Sequence, residues 1–383
     1  MGEHIQTSAI TIRLLFLGCF ETDRRIKSFA RFFSRSGFHV EILFGEPGQN
    51  EFRTWKDDTI TITQIPLRRA SGPLMFLEYR RKLSKQLSSL PKSQITFACD
   101  LYSLSTARRV KLRGQTDKVL YDARELYTEL PTVASKPLVK LFWKVSEKRG
   151  LMSTDRVIVT APLDADAIMS VHGFLPHSVL VRNLPEPSLE LQKSNYLREL
   201  YPIGDRTILV YAGGIQKDRG LQEMIKAMKE LRHEYAFVMI GDGSLRPVLE
   251  EKVKADTLGS SVYFHGSVHS DELHPILTSA NIGITLINTN SVSYELALPS
   301  KVFEYFQAGL LVLSSNMKQV IDLFPNEKMI KFVDSTTEGI FEGLKELSPL
   351  ISNPEASQEI SRRINSSFTF DGDAHSLLSF LNS

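Results

Sequence analysis

The residues with the clearest chemical use lie in Leu298-Pro299-Ser300-Lys301-Val302-Phe303-Glu304-Tyr305-Phe306-Gln307-Ala308-Gly309, followed by the run Leu310-Leu311-Val312-Leu313-Ser314-Ser315. A proline loses no needed hydrogen bond in the first turn of a helix, and a serine there can cap free N–H groups. Pro299 and Ser300 therefore predict a helix start. Gly309 predicts its end, and the β-prone run after it predicts a buried strand. A short helix emerging from an α/β layer offers free amides at Ser300 and Lys301, with Val302 beside them. Its partial positive charge suits an anion such as a diphosphate. Glu304, about one turn in, can accept hydrogen bonds from the vicinal hydroxyls of a ribose. Complementing the helix dipole accounts for that carboxylate equally well from this segment alone.

Other polar residues stand where α/β folds collect them. Asp100 and Asp122-Ala123-Arg124-Glu125 fall at the ends of predicted strands. Each serves as well as a helix cap or a loop ion pair. An arginine at 124 cannot act as a base at neutral pH, but it can hold a phosphate or carboxylate. Asp164-Ala165-Asp166 and Asp371-Gly372-Asp373 have the form of divalent-ion ligands, yet each stands at a helix start, where capping is the commoner job. His265 reads as a structural strand-end residue, and His39, His172 and His177 show no clustering. Cys19 and Cys99, the two cysteines, make neither a disulfide framework nor a zinc site, which fits a reducing cytoplasm.

The elements that must position these groups alternate between strand and helix. Ile12-Arg13-Leu14-Leu15-Phe16-Leu17-Gly18 reads as a buried opening strand, Asp23 to Ser36 as a helix, and Val40-Glu41-Ile42-Leu43-Phe44 as a second strand. This βαβ opening predicts a parallel sheet with Gly18 beyond a strand's C-terminal end, at a ligand crevice. No G-x-G-x-x-G fingerprint follows it. Further strands are predicted at 59–65, 94–99, 118–121 and 156–160. A composition break at Val181-Arg182-Asn183-Leu184-Pro185-Glu186-Pro187 marks a linker. A fresh βα unit begins at Thr207 and runs through Gly213-Gly214-Ile215-Gln216-Lys217-Asp218-Arg219-Gly220. Strands ending in Gly241-Asp242-Gly243 and in His265-Gly266-Ser267-Val268 follow, and an apolar helix closes the chain. The expected domains are 1–184, 185–365 and a terminal helix over 366–383.

Composition bounds the function. At 383 residues the chain suits two domains. Its 42% apolar and 23% charged content is that of a soluble globular protein, and a net charge of +2 argues against bulk nucleic-acid binding. No run approaches the roughly 18 apolar residues of a membrane span, and the N-terminal stretch is too polar and short for a signal peptide. One segment points to a surface. Lys136, Lys140, Lys144 and Lys148 share one face of a helix expected from Ser135 to about Gly150, while Leu138, Leu141, Phe142 and Val145 share the other. With Arg68, Arg69, Arg80, Arg81, Lys82 and Lys85, this makes peripheral contact with an anionic membrane a candidate. A solvated basic face over a packed apolar one is the commoner arrangement.

The 298–309 stretch, with Ser293-Tyr294-Glu295-Leu296 before it, resembles the nucleotide-sugar site of retaining glycosyltransferases of the GT-B fold, family four. That family writes two glutamates with seven residues between them, the second in a K-x-x-E-Y-x-x-x-G helix. Lys301, Glu304, Tyr305 and Gly309 match. The first glutamate's place holds Leu296, with Glu295 one position early. The family also clamps the donor diphosphate with two cations after its first C-terminal-domain strand. Here those places hold Gly214 and Arg219, with Lys217 between them. The resemblance is specific from Val210 to Ser315 and loose before Leu184.

It implies an α/β, GT-B architecture: two Rossmann-like doubly wound domains with a cleft between them, and a terminal helix crossing back to the first. It implies Arg219 and Lys217 as diphosphate ligands, Glu304 on the ribose, and Glu295 on the sugar. The turns at Gly214, Gly241 and Gly243 would line the site, Val268 would hold the base, and the Gly18 loop would face donor and acceptor sugars. The expected reaction moves a sugar from a nucleoside diphosphate sugar, UDP- or GDP-linked first, to an acceptor hydroxyl with retention. The acceptor would be a glycan, a lipid-linked sugar or a small molecule. The expectation includes no metal, no other cofactor and no nucleic-acid partner. The enzyme would sit in the cytoplasm, with the inner face of the membrane as a possible station. The alternatives are a nucleotide-sugar 2-epimerase of the same fold and an inactive binding or scaffold relative.

Overall fold

A computed structural model of the chain describes residues 10–187, 191–288 and 291–381. They form two compact units, one holding the residues up to Arg182 together with those from Phe370 onward, the other Asn183–Thr369.

The first unit is built on an eight-stranded sheet: β1 (Thr11–Leu17), β2 (His39–Pro47), β3 (Arg53–Asp57), β4 (Ile60–Leu67), β5 (Ser93–Ala98), β6 (Thr116–Ala123), β7 (Arg156–Val159) and β8 (Ser178–Leu180). Their order across the sheet is β3-β4-β2-β1-β5-β6-β7-β8. All pairs are parallel except β3 with β4. The five inner residues of β1 are all buried, as expected where helices cover both faces of a parallel sheet. The helix Arg24–Arg35 is capped by the Asp23 carboxylate, which accepts from the Ile26 amide at 3.0 Å. The terminal helix Phe370–Leu381 packs in this unit, with the Phe370 ring edge-on to Phe29 at 4.9 Å.

β3 has no counterpart in the sequence expectation. Its residues are exposed apart from half-buried Trp55, so no apolar alternation announces it.

The helix Pro137–Leu151 also departs from expectation, because its apolar stripe is turned outward: Leu138 is 83% exposed, Phe142 60% and Leu141 57%. The inward side is fixed elsewhere along the same helix. A Cβ on Gly150 would lie 2.4 Å from the Leu104 side chain, so only glycine lets the two helices approach this closely. One turn earlier, buried Glu147 accepts from the Tyr121 hydroxyl at 2.8 Å and pairs with His172 at 3.0 Å. With positions 147, 150 and 151 held inside, positions 138, 141, 142 and 145 must face away.

The second unit carries a six-stranded, all-parallel sheet: β9 (Thr207–Ala212), β10 (Tyr235–Ile240), β11 (Val262–Gly266), β12 (Ile282–Thr285), β13 (Leu311–Ser315) and β14 (Ile330–Val333), in the order β11-β10-β9-β12-β13-β14. Every residue of β10 and β13 is buried. Strand order reverses between β9 and β12, so a crevice opens there at the strands' C-terminal ends. Among the described residues, no helix is long and apolar enough to cross a membrane.

Candidate functional site

At that reversal the chain builds its site from three neighbouring loops and one helix. The Gly213 amide donates to the Ile240 carbonyl at 2.8 Å, Ile215 to Asp242 at 2.9 Å, and Gly241 to Gly266 at 2.7 Å. A Cβ on Gly241 would stand 2.1 Å from the Gly213 carbonyl oxygen, and one on Gly243 2.3 Å from that of Ile215. These glycines are therefore spacing devices that let the loops after β9 and β10 lie backbone to backbone. Gly214 is exposed at the rim, and Val268 is partly buried against the core of this unit.

The helix Ser300–Gln307 enters beside these loops, held by Tyr305. The Ala212 amide donates to the Tyr305 hydroxyl at 3.0 Å, and that hydroxyl donates to the Ile284 carbonyl at 3.1 Å. One side chain thus ties β9 to β12. Gly283 makes room for it, since a Cβ there would meet the Tyr305 ring at 2.3 Å. Pro299 is the N-cap and Ser300 the first helical residue, and no side chain caps this end. Ser300 is thus not the cap its type suggests. The Val302 amide donates to the Pro299 carbonyl at 3.2 Å, and its side chain is fully buried in the core. The amides ahead of it, at Ser300 and Lys301, form the open end of the helix.

Two cations meet here. The Lys301 ammonium lies 4.0 Å from the Tyr211 ring centroid, with its stem where a Cβ on Gly213 would be. Burial pushes its pKa down to about 7, Arg219 adds repulsion, and Glu304 opposes the shift. Arg219 lies over the Tyr294 ring, 5.0 Å from its centroid, and one of its terminal nitrogens, Nη1, is buried without a hydrogen-bond partner among the described residues. Among the described residues, neither cation forms an ion pair with a carboxylate. Two basic side chains beside an open helix start are an arrangement that suits an anion.

The remaining sequence candidates are placed differently. Lys217 is exposed, with the second cation of the cluster supplied by Lys301. Glu295 is exposed at the end of the short helix Val292–Glu295, whose Tyr294 faces Arg219. The Leu296 carbonyl accepts from Gln319 at 2.5 Å. The sequence reading used the Lys301 amide and missed its side chain, along with Tyr211 and Tyr294. Tyr211 had a signal, being a phenol in an otherwise aliphatic buried strand. Its hydroxyl donates to the Gly214 carbonyl at 2.7 Å.

In the first unit the polar strand ends are largely structural. Gly18, at the β1 reversal point, donates its amide to the Gly45 carbonyl at 2.9 Å. Asp100 caps the helix Leu101–Leu112 through Ser103 at 2.7 Å and also accepts from the Leu17 amide at 2.6 Å. Burial outweighs these bonds and raises its pKa to about 6. Asp122 is fully buried and holds Arg25 through two 2.7 Å bonds, while Arg124 pairs with Asp23 at 2.7 Å. Asp164 accepts from Thr160 at 2.8 Å and the Ala161 amide at 3.0 Å, and Asp373 pairs with Arg182. Asp371 pairs with Arg35. His265 accepts or donates at 3.1 Å with the Tyr201 hydroxyl.

Residues 206–347 match the family model for glycosyl transferases group 1. The alpha-D-kanosaminyltransferase of Streptomyces kanamyceticus is 28% identical over 173 residues, spanning 44% of this chain and 39% of that protein. The match therefore covers less than half of either. Among solved structures, sucrose-phosphate synthase from Thermosynechococcus elongatus superposes with a TM-score of 0.77 at 16% identity, over 97% of this chain and 98% of that one. Anabaena HepE in complex with UDP and glucose superposes with a TM-score of 0.71 at 12% identity, over 97% and 99%. These likenesses show the fold, two parallel-sheet Rossmann-like units of the GT-B kind.

Proposed function

We propose that the chain is a retaining glycosyltransferase that moves a sugar from a nucleoside diphosphate sugar to an acceptor hydroxyl in the synthesis of a glycan, glycolipid or polysaccharide. The observation that carries this reading is the pair Lys301 and Arg219, two basic side chains that form no ion pair among the described residues, at the open start of the Ser300–Gln307 helix. The group 1 family match covers this same region, and HepE is a GT-B relative crystallised with UDP and glucose.

In this reading Lys301, Arg219 and the amides of Ser300 and Lys301 hold the diphosphate, and Lys217 adds charge at the rim. Glu304 takes the ribose hydroxyls, the backbone near Val268 the base, and Glu295 the sugar. The closely packed turns at Gly241 and Gly243, with Gly214 at the rim, let the backbone approach the phosphates. As the bond from the sugar to the diphosphate breaks, negative charge grows on the leaving oxygen. The cations and helix end stabilise that state more than the ground state, which is what accelerates the step. The acceptor hydroxyl attacks from the leaving group's own face and passes its proton to a diphosphate oxygen, so configuration is retained without a protein nucleophile. The cations do the charge work that a divalent metal does elsewhere. The Gly18 loop of the first unit is the proposed sugar-facing side, and the cytoplasm the proposed compartment.

A thermal-shift series with UDP, GDP, ADP and dTDP, alone and as their sugars, tests the donor site. A ligand that binds only the folded chain raises its melting temperature by mass action. A rise with one nucleotide and its sugars is expected. No rise with any of them at millimolar concentration rejects the donor site and favours the inactive scaffold reading.

A further inference from the structure

We infer that the first unit docks on an anionic phospholipid surface through the outer face of the helix Pro137–Leu151. Leu138, Leu141, Phe142 and Val145 follow i, i+3, i+4, i+7 spacing and form one solvent-facing stripe, from 83% exposed at Leu138 to 39% at Val145. A contiguous apolar stripe on a soluble unit has a large cost unless something covers it. A second exposed apolar pair belongs to the same unit: Trp143, half-buried on the packed side of this helix, meets Phe76 of the helix Pro73–Ser88 at 5.3 Å, and Leu74 and Leu77 on either side of Phe76 are 56% and 50% exposed.

Charge chooses the occupant. Exposed Lys144, Lys148 and Arg149 flank the stripe, with exposed Lys136 at its start and exposed Arg68, Arg69 and Arg81 around the second helix. The acids within the two helices are already engaged. Glu147 is buried against His172 and Tyr121, and Glu78 pairs with Lys82 at 2.7 Å. An apolar stripe rimmed by cations is the surface that an anionic bilayer takes, its acyl boundary receiving the stripe and its headgroups the rim. A second copy of the chain would bring the same cations face to face, which disfavours self-association here. This inference goes beyond sugar transfer and stands if the donor reading fails.

The test is co-sedimentation of the full chain with phosphatidylcholine vesicles and with the same vesicles containing phosphatidylglycerol. Binding to the phosphatidylglycerol vesicles alone, released by high salt, is expected. Lys144→Glu with Lys148→Glu should lower the partition coefficient by at least about tenfold, and Leu138→Ser with Phe142→Ser should abolish binding. All four positions are exposed, so the variants should fold, and unchanged melting curves will show it. No binding of the wild-type chain to either vesicle overturns the inference, as does binding that both variants leave intact. A wild-type dimer by light scattering that Leu138→Ser with Phe142→Ser dissociates, without vesicle binding, overturns it in favour of a second copy.

Discussion

The Lys301 ammonium rests 4.0 Å from the ring centroid of Tyr211, whose hydroxyl donates to the Gly214 carbonyl at 2.7 Å. The ring gives the cation a partner that leaves its charge uncancelled, because a π-face attracts a cation without neutralising it. Burial and the neighbouring Arg219 then lower its pKa to about 7, so the site is poised to gain from an anion.

Nucleotide binding should take up a proton. At pH 8 much of Lys301 is neutral in the free protein, and a bound diphosphate draws it back to the charged form. The heat of UDP or GDP binding should therefore vary with the ionisation enthalpy of the buffer. Lys301→Arg keeps a permanent charge and should lose that dependence. Equal heats in all buffers for the wild-type chain would remove Lys301 from the diphosphate site.

The same group sets a pH dependence of stability. Its folded pKa lies below its unfolded one, so the penalty for burying the charge is fully present below about pH 7. It is relieved as pH rises from there toward the unfolded value near 10.4. Nucleotide-free protein should gain stability across that window, and Lys301→Met should flatten the gain. Denaturant midpoints at stepped pH read this directly, and parallel slopes for the two proteins would contradict it.

Tyr305→Phe should destabilise the second unit. It leaves the Ala212 amide and the Ile284 carbonyl, both in buried strands, without the shared hydroxyl. An unsatisfied buried group costs about 1–3 kcal/mol. Gly283→Ala should act on the same contact by overpacking, also at about 1–3 kcal/mol, because its Cβ enters the Tyr305 ring space. The double variant should cost less than the sum, since both act through one side chain. Strict additivity in urea melts would separate the two effects.

These residues also show what a sequence can carry. Gly309 ends its helix at φ +65°, and a glycine after an apolar helix announces such an end locally. The run through Val312 became the buried β13 for an equally local reason. Which cation joins Arg219 is different, because Lys217 and Lys301 are equally lysines. Only the packing of the Ser300–Gln307 helix against Gly213 selects the second. The helix Pro137–Leu151 makes the same point. Periodicity separates its two faces, while the side that packs is decided by Gly150 against Leu104, a contact with no trace in the helix's own pattern.

In the first unit, Arg25→Leu should be severe. Asp122 is fully buried and its two short bonds go to Arg25, with Arg124 Nε 3.7 Å away. Removing one partner of a buried pair leaves an uncompensated charge and costs about 3–5 kcal/mol. Replacing both, as Arg25→Leu with Asp122→Leu, should recover much of the loss, because the desolvation penalty goes with the charges. A double variant no more stable than the single would show that Asp122 matters through some other contact.

Glu304 separates binding from folding. The ribose reading has its carboxylate accepting from two sugar hydroxyls, charge-assisted bonds worth about 1.5–3 kcal/mol each. Glu304→Ala should therefore weaken UDP or GDP binding by roughly a hundred- to ten-thousandfold. It should also raise the Lys301 burden, since Glu304 is the group that opposes the downward shift of that lysine. The two consequences are separable by ligand. Inorganic pyrophosphate has no ribose, so its affinity should fall only through Lys301, and less at pH 6, where more of the lysine is charged. A nucleotide loss that exceeds the pyrophosphate loss at pH 6 isolates the ribose contact. Equal losses for both ligands would leave Glu304 as a purely electrostatic neighbour of Lys301.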